Sequence, residues 1–335
     1  MPQPDVSKCI DAPARDIPAL PQLAHSCVRA VIVNYNGSQL TLRCVQSLLA
    51  QDCSLQLQIV VVDNHSSEEN WRVLQQELEG YPIILHRCSK NLGYAGGINA
   101  GAKLHSDRTP AYILALNSDI TLPSEDSVRQ LAAALREDPR RVACSPLIKD
   151  QDCRVPPEAT TQVRRLPGFW TVLVSQSCWL SRTGFGRRIT RAYLYQDSLP
   201  YPLGTTLDCE TINGACFILD SQFLEAIGYL DDRTFLYMEE LILGAQIRAQ
   251  SATACLCTAV IADHIQGAST GMRGRRRPLR RELQQVHSET LYLRHYAGTN
   301  RLGLGLLLLV RGTDLLLKAL RSLVLNVRWN DLRGL

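Results

Sequence analysis

Apolar and polar positions alternate in blocks along the first 150 residues. Val28-Arg-Ala-Val-Ile-Val33 is a β-branched run stopped by Asn34-Tyr35-Asn-Gly37, which predicts a first buried strand and its loop. Leu40, Leu42, Val45, Leu48 and Leu49 then recur at helical spacing over 38–51. Ile59-Val-Val-Val62 predicts a second strand, with Asp63-Asn-His-Ser-Ser67 at its end and a helix over 68–79. Ile83-Ile-Leu85 predicts a third strand, and the glycine-rich turn from Asn91 to Gly101 runs into a helix. Leu114-Ala-Leu-Asn117-Ser-Asp119 reads as a buried strand ending in an acidic step, followed by a helix over 124–137 and a strand at Val142–Ser145. Strand and helix in turn are the pattern of a parallel α/β sheet. Such sheets bind ligands at the carboxyl ends of their strands, where Asn34, Asp63 and Asp119 fall.

The pattern weakens over 150–205, which are rich in Arg, Pro, Gly and Trp. An irregular insert with one or two helices around 168–190 is expected there, lying over the site. Thr211–Leu219 predicts a return to the sheet, and Phe223–Ile227 a short helix. Phe235-Leu-Tyr-Met-Glu239-Glu240 leads into a helix ending near Gln250. Ala254–Ala262 predicts a strand closed by Asp263-His264. A helix over 279–297 and a strongly apolar last element over 302–327 complete the chain.

Composition changes this picture in two places. The net charge of +4 is unevenly spread: from Gly271 onward there are 13 Arg and Lys against 4 Asp and Glu, so the first 270 residues are net acidic. A basic tail on an acidic body points to an anionic surface. The last element has no uninterrupted apolar run near the ~20 residues needed to span a bilayer. Cations recur in it at Arg311, Lys318, Arg321 and Arg328. That predicts an amphipathic helix in a membrane interface. Packing on the body of the protein, or on a second copy in a homodimer, is the other reading. The 12 cysteines form no CxxC pair, and several lie in apolar runs, where cysteine acts as a small hydrophobe. With no apolar leader resembling a signal peptide, reduced thiols in the cytoplasm are expected.

Four places hold candidate chemistry. A carboxylate at a strand end, as at Asp119, suits Mg²⁺ or Mn²⁺, which prefer oxygen ligands. Gly93-x-x-Gly96-Gly97 lacks both GxGxxG spacing and a GK[ST] ending, which disfavours a dinucleotide fold and a P-loop. Its glycines would still let a backbone approach a nucleotide. Glu239-Glu240 follows an apolar run, so partial desolvation would raise one pKa toward that of a general base. His264, in a polar loop at a strand end, is placed to reach a metal or a diphosphate.

Taken in order, the chain resembles the family 2 glycosyltransferases with the GT-A fold. The segments that carry the resemblance are Val31–Gly37, Val61–Ser66, Asn91–Asn99, Leu116–Asp119, Asn213–Ala215, Phe235–Glu240 and His264-x-x-Gly267-x-Ser269, over roughly residues 28–295. Within that family it looks most like the branch of rhamnosyltransferases and other bacterial polysaccharide-assembling enzymes. The resemblance implies a mixed, mostly parallel sheet flanked by helices, with a C-terminal amphipathic helical segment. It implies a lead-in over 1–27, a catalytic domain over 28–270 and a basic helical segment over 271–335.

It also implies roles. Asn34, with Tyr35 beside it, and Asp63 would hold the donor's base and ribose; Asn91, Gly93 and Asn99 would line the nucleotide pocket. Asn117-Ser118-Asp119 stands where the family has DxD, so Asp119 would carry the metal, touched also by His264. Asn213 and Gly214 would border the acceptor. Glu240 stands where many members have an aspartate base, and the choice between Glu239 and Glu240 stays open; Ile242 replaces a further aspartate. The expected reaction is inverting transfer from a nucleoside-diphosphate sugar to a lipid-linked glycan. The expected place is the inner face of the cell membrane, held to anionic lipid through 271–330, with no nucleic-acid partner. A nucleotidyltransferase, or a non-catalytic nucleotide-sugar-binding protein, is the alternative.

Overall fold

The structure is a computed structural model. It describes residues 26–52, 56–106, 108–151, 153–265 and 279–331, with side chains through Leu320. The lead-in over 1–25, Arg275–Arg277, Gly267 and Ser269 lie outside the described residues.

The first half is built as the pattern predicts. β1 (Cys27–Asn34), α1 (Ser38–Leu49), β2 (Gln56–Asp63), α2 (Glu68–Glu77), β3 (Ile83–Arg87), α3 (Gly93–Ala102) and β4 (Tyr112–Asn117) alternate. β5 (Ile120–Thr121), α4 (Ser127–Arg136) and β6 (Arg141–Asp150) follow. The insert holds α5 (Phe169–Gln176) and α6 (Gly184–Tyr193). The chain returns through β7 (Thr206–Cys209), β8 (Cys216–Asp220), α7 (Ser221–Ala226), α8 (Glu239–Ala249) and β9 (Thr253–His264). It closes with α9 (Leu279–His295) and α10 (Arg301–Asp331).

The strands form one sheet in the order β3-β2-β1-β4-β8-β6-β9-β5, with β7 paired to β9. β3, β2, β1 and β4 are parallel neighbours, β8 runs antiparallel between β4 and β6, and β6 and β9 are again parallel. Alternate side chains of β1 serve two cores. Ala30 and Ile32 meet α1 and α4 on one face. Val31 packs on α3 on the other, in a core that also takes in α8. Covering both faces is why these strands read as continuous apolar runs. The glycines of α3 serve this packing: a Cβ on Gly101 would lie 2.4 Å from Val31 Cγ1, so only glycine lets the helix settle on β1.

Two expectations need correction, and two short strands were not expected. The strand expected over 211–219 begins only at Cys216; residues 211–215 turn, with Asn213 Oδ1 accepting from Ala215 N at 3.0 Å. Two short strands, β5 and β7, carry too few residues for a period of two to show. The cations of the last helix do not all face outward. Arg311 is 3% exposed, and Lys318 Nζ sits 2.8 Å from Glu282 Oε2 of α9. A buried guanidinium needs partners, and α9 and α10 supply them.

Candidate active site

Register brings the first candidates together. Asn34 pairs with Asp63 across β1 and β2, and Val33 with Asn117 across β1 and β4, so three strands end on one rim. Asn34 and Asp63 are fully buried there. Asn34 Nδ2 donates to Asp63 Oδ1 at 2.9 Å, and its Oδ1 accepts from Gly37 N and Thr41 Oγ1. Asp63 Oδ2 accepts from Ser66 N at 3.2 Å and faces Arg87 Nε at 3.5 Å. These contacts fix the two loops at the rim. Tyr35, 44% exposed, is the outward-facing member of the first loop.

Asp119 and His264 are 145 positions apart, and a two-residue strand closes the gap. β5 pairs with the end of β9 so that Ile120 stands opposite His264. Ile265 N donates to Asp119 O at 3.1 Å. His264 Nε2 then lies 3.4 Å from Asp119 Oδ1, with Asp119 almost fully buried. A carboxylate oxygen and an imidazole nitrogen facing each other form a donor pair that suits Mn²⁺. Among the described residues no third His, Cys, Asp or Glu joins them. Two protein ligands with the rest left to phosphate oxygens and water is the usual economy of nucleotide–metal sites. The pair therefore fits such an ion.

The glycine-rich turn bears on the acidic pair, which its sequence did not reveal. Gly93 has φ +76°, and a Cβ there would lie 2.4 Å from Phe235 O. Asn64 brackets the turn, accepting from Leu92 N and donating to Gly93 O, both at 2.8 Å. Asn91 Oδ1 accepts from Gly93 N at 3.0 Å. Asn99 uses both ends of its amide on the backbone of Leu230. Asn99 thereby braces the loop that leads to Glu239. Ser288 of α9 holds the same loop by donating to Leu236 O. This bracing sustains two consecutive bulky residues at positive φ, Tyr237 and Met238, just before α8. Left-handed side-chain-bearing residues cost about 1–3 kcal/mol each and persist where surroundings over-determine them. Gly93→Ala is accordingly expected to lower stability by about 1–3 kcal/mol. It should also displace the acidic loop, read as a lower melting temperature together with reduced turnover.

The two glutamates differ in their surroundings. Burial, and next the charge of Glu240, push the Glu239 carboxyl up to about 8, and its Oε1 is buried without a hydrogen-bond partner. Glu240 is paired: Arg164 Nη1 reaches its Oε1 at 2.7 Å. Its other oxygen, Oε2, lies 3.9 Å from where a Gly214 Cβ would stand. Tyr94 ties the parts together. Its hydroxyl donates to Gly214 O at 2.7 Å. Burial, then the charges of Cys216, Glu239, Asp119 and Glu240, push its phenol well above the usual range.

A pH dependence follows for Glu239. The folded chain keeps a proton that the unfolded chain releases from about 4.5 upward. Stability from this group is complete below about 4.5 and is lost as pH rises through about 8. Glu239→Gln, neutral and of the same shape, is expected to flatten that part of a melting-temperature profile against pH. An unchanged slope would place the proton elsewhere.

Sequence reasoning missed Arg164, Asn64 and Tyr94. Arg164 lies in the insert, where no periodicity marks it; Thr211 seats its backbone through two hydrogen bonds. Asn64 and Tyr94 stand inside quoted segments, beside residues that drew the attention.

Residues 30–193 match the family model for glycosyl transferase family 2. Beyond the family 2 match, the chain is 25% identical over 237 residues to the low-salt glycan biosynthesis hexosyltransferase Agl10 of Haloferax volcanii. That stretch covers 70% of this chain and 66% of the relative, just under two thirds of its length. The crystal structure of GalNAc-T7 with UDP, GalNAc and Mn²⁺ aligns at TM-score 0.52 and 16% identity. It covers 72% of this chain and 44% of that one, a likeness of fold. The mannosyltransferase PcManGT of Pyrobaculum calidifontis, with GDP-Man and Mn²⁺, aligns over 97% of this chain and 85% of its own at TM-score 0.47 and 16% identity. The sheet is the mixed, mostly parallel GT-A arrangement expected from the motifs, flanked by helices and followed by C-terminal helices.

Proposed function

We propose that the protein is an inverting glycosyltransferase. It moves a hexosyl group from a nucleoside-diphosphate sugar to a hydroxyl of a lipid-linked glycan at the inner membrane face. The observation that carries this reading is the grouping of Asp119, faced by His264, and Glu240 about Tyr94, whose hydroxyl bonds Gly214 O. The family 2 match and the hexosyltransferase relative support it, and the latter favours a hexose over the rhamnose of the resembling branch.

Asp119 and His264 would hold a Mg²⁺ or Mn²⁺ ion, whose charge would offset that of the departing diphosphate. Asn117, Tyr35 and the Asn91–Gly93 turn border the donor in this reading. Asn213 and Gly214 border the acceptor. Arg164 occupies one oxygen of Glu240, which leaves Oε2 to accept the proton of the acceptor hydroxyl. The hydroxyl oxygen attacks C1 of the sugar. The bond from C1 to the diphosphate oxygen breaks, and its electrons leave with the diphosphate. One base serves a single displacement, and no second nucleophile is required.

Product stereochemistry tests the displacement. The glycosidic bond formed should have the anomeric configuration opposite to the donor's, read by NMR. Retention would contradict the single-base mechanism.

A further inference from the structure

α10 turns Arg311 and Asp314 toward the protein beside Leu307 and Val310, and a stripe of leucines outward. Arg311 lies beneath it, with Nε 3.0 Å from Glu289 Oε2 and Nη1 3.1 Å from Asp314 Oδ2. Nη1 also donates to Gln176 O of α5. Asp314 in turn accepts from Ser177 Oγ and Cys178 N. On the opposite side Leu302, Leu306, Leu309, Leu316 and Leu320 are all exposed, the first at 85% and Leu309 at 67%. Their spacings of four, three, seven and four residues place them on one stripe of the helix. Phe169 of α5 packs 3.5 Å from where a Gly303 Cβ would be, and its neighbour Trp170 is 62% exposed. Phe185 of α6 is exposed as well.

An apolar patch of this extent marks an interaction surface. We propose that this face seats the protein in the interfacial layer of an anionic lipid bilayer. Charge chooses the occupant. Arg187, Arg188 and Arg191 of α6 are exposed beside Phe185, and α6 contains no acidic residue. The chain from Gly271 onward carries nine more basic than acidic residues. Aromatic and leucine side chains edged by arginine are the composition of helices that lie in a headgroup layer. Among the described residues no helix is long and apolar enough to cross a membrane.

The seat also orients the site, a step that rests on the glycosyltransferase reading. Met238, Leu241 and Ile242 share one core with Leu307 and Val310 of α10. The helix that begins with Glu239 and Glu240 is thus tied to the seated helix through one core, which α5 and α9 also enter. A lipid-anchored acceptor would meet Glu240 without leaving the bilayer surface.

The test is co-sedimentation of the full chain with vesicles of phosphatidylcholine, alone or mixed with phosphatidylglycerol. The wild type should sediment with the mixed vesicles. Leu309→Gln with Leu316→Gln should weaken that binding about tenfold per leucine. Arg187→Glu with Arg188→Glu should weaken binding to the mixed vesicles and leave binding to phosphatidylcholine unchanged. Donor hydrolysis in detergent by both double variants should match wild type, which separates the seat from the active site. Failure of the wild type to sediment with either vesicle would overturn the proposal. So would wild-type vesicle binding by the leucine variant, or its dissociating a dimer in sedimentation velocity without altering vesicle binding, which would make a second copy the occupant. Vesicle binding without any donor turnover would count against the glycosyltransferase reading alone.

Discussion

Asp119→Ala is expected to abolish transfer, lowering turnover about a thousandfold or more, the scale of losing a principal electrostatic stabiliser of a leaving group. Asn117→Ala should only weaken donor binding and leave turnover at saturating donor near wild type. The difference lies in charge and placement. Asp119 is the anionic group of the Asn117-Ser118-Asp119 step, buried and held by Ile265 N through its own carbonyl, with His264 across from it. Asn117 is neutral and half-buried, and its backbone N–H is spent on Ala215 O. Comparable losses in both variants, measured as kcat and KM for the donor, would give Asn117 a larger role than its chemistry suggests.

Glu240→Gln is the second large effect. It keeps the shape and a hydrogen bond from Arg164 but cannot take a proton. Turnover should fall about 10²–10⁴-fold, the usual worth of a positioned general base, with donor KM little changed. Glu239→Gln should leave turnover within a few-fold of wild type. Its carboxyl is already pushed up to about 8 by burial and by Glu240, so a neutral amide resembles its state at neutral pH. The reverse pattern, a dead Glu239→Gln and an active Glu240→Gln, would exchange the two assignments.

The residues that build the rim were legible because buried parallel strands announce themselves. Val28–Val33 and Ile59–Val62 are apolar on both faces, and each ends in a polar residue where the core ends. The pairing of His264 with Asp119 was legible only as a resemblance. It depends on a strand of two residues, too short for any periodicity to mark. Arg164 was not legible at all, since its segment is ordered by contacts with Thr211 and Glu240 and not by a repeating pattern. Asn34, Asp63 and Asn99 stood out in the sequence, but the bonds each makes to loops within the protein did not, since those bonds join distant segments. The last helix shows the same limit. Its composition gave an amphipathic helix, but a helical wheel cannot say which face meets the body. The burial of Arg311 and Asp314 decides that.

Every role proposed for this cleft depends on its breaking the bond between a sugar and a nucleoside diphosphate. Release of nucleoside diphosphate from a panel of nucleotide sugars, with Mn²⁺ and lipid acceptor extract present, tests it most directly. Wild-type protein should release product from at least one donor, and Asp119→Ala should release none. No release from any donor, with a melting temperature that no donor raises, would contradict it.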